Sequence, residues 1–219
     1  MGTDGPYYHM GDPCDGPYSR LSYGATFLKR AFFVICMRIN KLKEAMRKRG
    51  IGCCIFYNIS EERDRNMSYF AGYNGMGCLV VPKNKAAFLV VPLMEYERAR
   101  QSRIKVHKWE KGKKLFRQVR ELINFRLGKV GIVYRDFSLD VYRSFRGNIK
   151  NIKVVDISQD VLGIRAVKDK KEIELLRESA KITSDIIKEC INNFSKFRTE
   201  EDVRRFLHAE TIRKGRKTH

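Results

Sequence analysis

Several kinds of side-chain chemistry could be housed in this chain, and residue spacing tests each of them. The six cysteines (Cys14, Cys36, Cys53, Cys54, Cys78 and Cys190) contain no C-x-x-C pair, the spacing on which many zinc and dithiol sites are built. Cys53 and Cys54 are adjacent in an apolar, strand-like run, so their side chains should point to opposite faces. Cys78 could be a nucleophile only with a base beside it. It opens another apolar run with no histidine near it in sequence, which predicts a packed, reduced thiol. Among His9, His107, His208 and His219 none has a metal-ligand spacing; His208 and Glu210, two apart on a predicted helix, do not share a face.

Gly112-Lys113-Lys114 has the look of the end of a phosphate loop. His107 stands where the first glycine belongs, however, and no Ser or Thr follows the lysine, so that motif is rejected. Gly72, Gly75 and Gly77 run G-x-x-G-x-G, the wrong order for a dinucleotide fingerprint; they predict a loop in which backbone approaches closely. There is no G-x-S-x-G elbow. Glu61, Glu62 and Asp64 alternate with Arg63 and Arg65, predicting an exposed, ion-paired turn and not an acid/base pair.

The elements that must position these groups are legible from periodicity. Ile39, Leu42 and Met46 lie on one helical face that Gly50 should end. Apolar runs at 51–57, 77–81 and 86–91 predict strands, the last two joined by a hairpin turn at 82–85. Residues 93–102 read as helix with Tyr96 and Ala99 inward, and 104–107 as a short strand. Leu115, Val119, Leu122 and Arg126, with Phe116 and Ile123, recur at helical spacing. Strands follow at 129–134 and 152–155, with a short helix marked by Val141, Tyr142 and Phe145 between them. This alternation predicts an α/β domain over 38–157, its sheet mixed because of the hairpin. The expected core includes Ile55, Phe56, Leu79, Val81, Phe88, Val90, Ile132 and Val133. From 158 the pattern is helical only. Asp169 and Glu172 form a capping box ahead of an apolar stripe at Leu176, Ala180, Thr183, Ile187, Cys190 and Phe194. Thr199 and Asp202 open a second helix that should bury Val203, Phe206 and Leu207. Two such helices need a further layer to cover them, so residues 158–219 are expected to begin a second, truncated domain.

Residues 1–37 are read as an extension outside the fold, disordered, with two Asp-Gly-Pro turns at 4–6 and 15–17 and with Met37 as an alternative start to Met1. The pair Lys29-Arg30 comes too late, and the apolar stretch after it is too short, for a secretory signal. No apolar run approaches the roughly 20 residues of a membrane-spanning helix. Reduced thiols and the lack of such segments predict a cytoplasmic protein without membrane association. Of 45 Lys and Arg against 25 Asp and Glu, 27 and 11 fall in 38–157. These bases are scattered over predicted helices and turns, the nearest patch being 98–114 around Trp109. A solvated basic face is therefore the favoured reading over a nucleic-acid groove.

Two stretches resemble a known family. From Arg49 a helix end, a strand, Asn66-Met67-Ser68-Tyr69-Phe70-Ala71-Gly72-Tyr73, a hairpin and Pro92-Leu93-Met94-Glu95-Tyr96-Glu97 follow in the order of the N-terminal domain of prolidase, aminopeptidase P and creatinase. Downstream, 162–173 resembles the start of that family's catalytic domain, with Arg165, Lys168 and Glu172 as its junction motif. The 61–64 stretch looks most like archaeal members. The resemblance covers about 38–215. It implies a creatinase-type N-terminal domain followed by the first two helices of a pita-bread metallopeptidase domain. A full-length homologue would hold two divalent metals (Mn, Co or Zn) on two Asp, one His and two Glu, none of which has a counterpart here. No catalytic residue or metal ligand is carried over, and the chain alone is expected to be inactive and to bind no cofactor. The family implies a homodimer and proline-containing peptides as substrates of the full-length form. It also implies that the loop with Asn66, Tyr69, Phe70, Gly72 and Tyr73 sits by the pocket or the dimer partner, as a loop after a short helix or turn. A non-catalytic protein-binding module of the same fold is the alternative, and a basic nucleic-acid-binding protein a third reading.

Overall fold

The computed structural model describes residues 25–58, 65–102, 104–123 and 126–215. Within it the chain divides into two compact units, Met1–Ile164 and Arg165–His219.

The first unit opens on helix α1 (Ala25–Arg49). Its buried positions Ile35, Ile39, Leu42 and Met46 are spaced four, three and four apart, the stripe of a helix packed on one side. Each contributes roughly 1.5–3 kcal/mol by leaving water. The helix stops where Gly50 takes a positive φ of 66°, a conformation open to glycine. The expected boundary at 37/38 falls inside this helix. The Gly- and Pro-rich composition before residue 25 obscured the start, and Ile35 belongs to the core. Residues 1–24 lie outside the described residues, as does the turn 59–64.

Six strands form one sheet among the described residues, in the order β4-β3-β2-β1-β5-β6. They are β1 (Ile51–Asn58), β2 (Gly77–Pro82), β3 (Phe88–Val91), β4 (Lys105–Lys108), β5 (Lys129–Ile132) and β6 (Lys153–Asp156). β2 is antiparallel to both β1 and β3, and the β3–β4, β1–β5 and β5–β6 pairs are parallel. The sheet is therefore mixed, with β2 alone reversed.

Both faces are covered, which is why the strands read as unbroken apolar runs. Cys54, Phe56, Leu79, Val81, Leu89 and Val91 pack with α1, with α2 (Arg65–Ala71), and with Ala99 of α3 (Tyr96–Arg100). Val161 of α6 (Ser158–Ala166) joins the same cluster. Cys53, Ile55, Cys78, Val80, Val90 and Ile132 face the other way, onto α4 (Leu115–Leu122) and α5 (Leu139–Asn148). Cys53 and Cys54 thus take opposite faces, and all eight expected core residues are buried. α4 ends at Leu122, so Arg126, expected on its face, lies beyond it and is exposed.

The second unit contains α7 (Lys170–Asn192) and α8 (Glu200–Gly215). α7 opens with the expected capping box: Asp169 accepts from the Glu172 N–H, and the Glu172 carboxylate accepts from the Asp169 N–H. Thr199 and Asp202 repeat the arrangement before α8. The expected apolar stripe on α7 is only partly covered. Cys190 and its neighbour Ile186 are buried, whereas Leu176, Ile187 and Phe194 remain exposed. Within this unit α7 packs against α8, and one helix cannot cover the length of another that is longer. Phe197 bridges Phe194 and Phe206 with ring centroids 6.4 and 5.3 Å away.

Candidate functional site

The segment 66–75 is where the sequence placed a pocket or partner loop. Its first part is itself a helix, α2, and not a loop. With Gly72 and Gly75 close behind it and only seven residues it shows too little periodicity to be read as one. Phe70 and Tyr73 are 0% and 2% exposed, so neither lies on a free surface. Phe70 packs against Phe56 at 5.3 Å and edge-on to Tyr69 at 5.1 Å. Asn66 is buried and donates to the Asp136 carboxylate at 2.8 Å, tying α2 to the turn after β5. Gly72 has φ 62°, the left-handed exit that ends α2.

Tyr69 is the one aromatic of the segment that keeps partial exposure. The Arg38 guanidinium stands over its ring at 4.1 Å and donates to its carbonyl at 3.1 Å. A cation over an aromatic face, pinned by a second contact, holds the ring in one orientation. The phenol reaches the Ile164 carbonyl at 3.5 Å, at the end of the first unit.

A second cluster joins residues that local spacing does not connect. The Tyr73 hydroxyl lies 2.8 Å from the Met76 carbonyl and 3.0 Å from the Glu95 carboxylate. Arg98 closes on the same carboxylate at 2.9 Å. Gly75 sits under all three: a Cβ there would collide with the side-chain ends of Arg98, Tyr73 and Glu95. Its carbonyl accepts from the Asn58 amide at 3.3 Å. The glycine spacing predicted a close approach of backbone; at Gly75 side-chain ends approach instead, and the backbone approach is at Gly77, beneath the Val90 carbonyl. Burial, and after it the Glu95 carboxylate, push the Tyr73 phenol well up, so it stays protonated and donates; it is no base. Glu95 and Arg98 were not anticipated, because contact with Tyr73 needs the hairpin between them.

The other candidates resolve into structure. Cys53, Cys54 and Cys78 are fully buried, and burial pushes all three thiols up, with a further push on Cys53 from Cys78. Cys53, Cys54 and Cys78 should therefore resist iodoacetamide in the folded chain, alkylating roughly 100-fold or more slowly than in urea. Peptide mapping checks this, and rapid labelling of Cys78 under native conditions would contradict it. His107 packs edge-on to Phe88 at 5.4 Å; burial, then Lys105, lower its pKa. In the junction motif Arg165 closes the last turn of α6, Lys168 donates to the Ala166 carbonyl at 3.1 Å, and Glu172 is held in the capping box. These residues shape the entry to α7 and form no reactive constellation.

Among the described residues no group of three or more His, Cys, Asp or Glu could hold a metal ion. Three acids of the second unit are instead held by bases: Glu189 by Lys214 at 2.8 Å, Glu210 by Arg213, and Glu201 by Arg204 and Arg205. Such pairs are features of a solvated helix surface. Among the described residues no helix is long and apolar enough to cross a membrane.

A three-layer α/β unit with one reversed strand, a sealed aromatic helix at 65–71 and a capping-box entry to a long helix defines a recognisable class of protein. The profile of the Creatinase/Prolidase N-terminal domain matches residues 38–167, and the chain belongs to that family. It is 26% identical over 151 residues to a creatinase from Bacillus sp. (strain B-0618), covering 66% of this chain and 36% of that protein. It superposes on an Xaa-Pro dipeptidase from Bacillus anthracis with a TM-score of 0.70, at 18% identity, over 82% of this chain and 49% of that one. For the prolidase from Pyrococcus horikoshii OT3 the TM-score is 0.68 at 20% identity, over 81% and 49%. The chain thus spans half or less of the length of these relatives.

Proposed function

We propose that this chain is the N-terminal portion of a metal-dependent Xaa-Pro dipeptidase or aminopeptidase, pairing subunits as a homodimer and walling the substrate pocket without itself supplying a catalytic group. Family membership of residues 38–167 carries the reading. It is supported by the α6–α7 entry through Asp169 and Glu172, and by the apolar positions of α7 that α8 leaves uncovered. The described residues do not fit a dinuclear metal centre, since they bring no three His, Cys, Asp or Glu together and several of their acids are taken up by ion pairs and caps. Metal chemistry is assigned to a catalytic domain that would cover α7 and α8. The substrates would be proline-containing peptides.

The test is hydrolysis by the natural protein, captured from its source with an antibody against residues 38–167. Cleavage of Xaa-Pro dipeptides that needs Mn, Co or Zn and stops with EDTA supports the proposal. Captured protein that cleaves none of them under any of these metals defeats it. Within that protein Tyr69→Ala should raise KM for the peptide about tenfold. A variant that shifts the melting temperature and leaves KM unchanged would make Tyr69 a packing residue only.

A further inference from the structure

Topology gathers bases that are scattered in sequence. Five of the six strands point the same way, so their N-terminal ends share one edge of the sheet with the C-terminal end of β2. Register fixes this: Ile51 pairs Lys129, Lys129 pairs Lys153, Cys53 pairs Pro82 and Phe88 pairs Lys105. The connections that meet there are the end of α1 with Arg47 and Lys48, the β2–β3 turn with Lys83 and Lys85, and the approach to β5 through Arg126. The passage from α5 to β6 adds Arg146 and Lys150. Cross-links confirm the proximity: Lys43 donates to the Lys85 carbonyl at 2.8 Å, Lys129 to the Arg49 carbonyl at 3.0 Å, and Arg146 to the Ile152 carbonyl at 2.9 Å.

No Asp or Glu occurs in the described residues of these connections (47–50, 83–87, 101–104, 126–128 and 146–152). The opposite edge is mixed: Glu95, Glu110, Asp136, Asp140 and Asp156 follow the other strand ends there, among Arg98, Lys108, Lys111, Lys113, Lys114 and Arg135, and Asp160 pairs with Arg49 at the end of α1. Bases in the last turn of a helix complement its dipole, which accounts for Arg47 and Arg146. It does not account for Lys83, Lys105, Lys129, Lys150 or Lys153, which lie on turns and strand starts. Lys105, Lys129, Lys150 and Lys153 are exposed.

From this arrangement we infer that the N-terminal edge of the sheet is a docking surface for the phosphate backbone of duplex nucleic acid. Six strands about 4.8 Å apart make an edge about 24 Å long, along which a duplex presents about 14 charges at one per about 1.7 Å. A row of lysines and arginines on a rigid sheet edge contacts several phosphates of a stiff polyanion at once. The apolar residues of the connections, Leu127, Ile149 and Ile152, are buried, so no wedge is offered to a lipid surface. None of the described residues in these connections is aromatic, so none stacks on the bases of a single strand. Phosphate contact alone carries no sequence preference.

The experiment is fluorescence anisotropy of the 219-residue chain with a labelled 20-base-pair DNA duplex at increasing salt. Binding should fall steeply, with a log–log slope of about −4 to −6 for five to six phosphates. Lys150→Glu/Lys153→Glu should weaken binding at least about tenfold at low salt and flatten the slope. Lys111→Glu/Lys114→Glu changes net charge equally at the opposite edge and should bind nearly as well as the parent. Circular dichroism verifies that both variants fold. The inference is overturned by no binding at low salt, by equal loss in the two pairs, by a single strand binding as tightly as the duplex, or by equal binding to phosphatidylserine vesicles. It does not depend on the peptidase reading, because no arm measures hydrolysis.

Discussion

Phe70→Ala should destabilise the first unit by about 3–5 kcal/mol, the range for truncating a buried aromatic ring. Phe70 is 0% exposed and lies between Phe56 and Tyr69 beneath α1. Its removal leaves a void that Met67 and Leu42, themselves fully buried, cannot fill without leaving their own contacts. In thermal unfolding followed by circular dichroism the midpoint should drop by roughly 6–20 °C. A drop under about 2 °C would mean the ring is not sealed in the core, and the placement of α2 would be wrong. The sequence also makes Phe70 a candidate pocket or partner residue, and the same measurement separates that role from packing.

Gly77→Ala should be the next most damaging change, at about 2–3 kcal/mol. Gly77 begins β2 with φ 143°, a region essentially reserved for glycine. A Cβ there would lie 2.5 Å from the Val90 carbonyl oxygen and 2.9 Å from the Val91 side chain. The first of these is backbone of the paired strand β3 and cannot swing aside as a side-chain end can. Urea titration should lower the midpoint with an unchanged slope. A midpoint equal to that of the parent would remove the close approach between β2 and β3. Gly75 has crowding of another kind, from the movable ends of Arg98, Tyr73 and Glu95, and should tolerate alanine better.

The contrast between these two glycines marks how far the sequence could be read. Spacing alone pointed to backbone approaching closely at 72, 75 and 77, which holds at Gly77, whereas Gly72 and Gly75 meet side chains. It could not say which neighbour, because Val90, Glu95 and Arg98 arrive only through the hairpin. The stripes of α1 and the paired caps at Asp169–Glu172 and Thr199–Asp202 were legible because they depend on residues three or four apart. Continuous apolar strands were legible because helices cover both sheet faces. The beginning of α1 was not, since Gly and Pro before residue 25 outweighed the helical spacing of Leu28, Phe32 and Ile35. α2 was missed for its brevity, and with it the burial of Phe70 and Tyr73. The basic edge looks diffuse in sequence because its lysines fall into small groups 20 or more residues apart, such as 83–85, 105, 129 and 150–153, which meet only through parallel strand order. The uncovered positions of α7 lie at the other limit: the pattern was plain, and what covers it is a property of the proposed whole protein.

In the proposed division of labour this chain would supply walls and contacts and leave metal chemistry to another domain. It is tested most directly by assaying the recombinant 219-residue chain, supplied in turn with Mn, Co and Zn, for hydrolysis of Xaa-Pro dipeptides alongside its metal content. No turnover above buffer and no stoichiometric metal are expected. Metal-dependent cleavage, or two tightly held ions per chain, would contradict it.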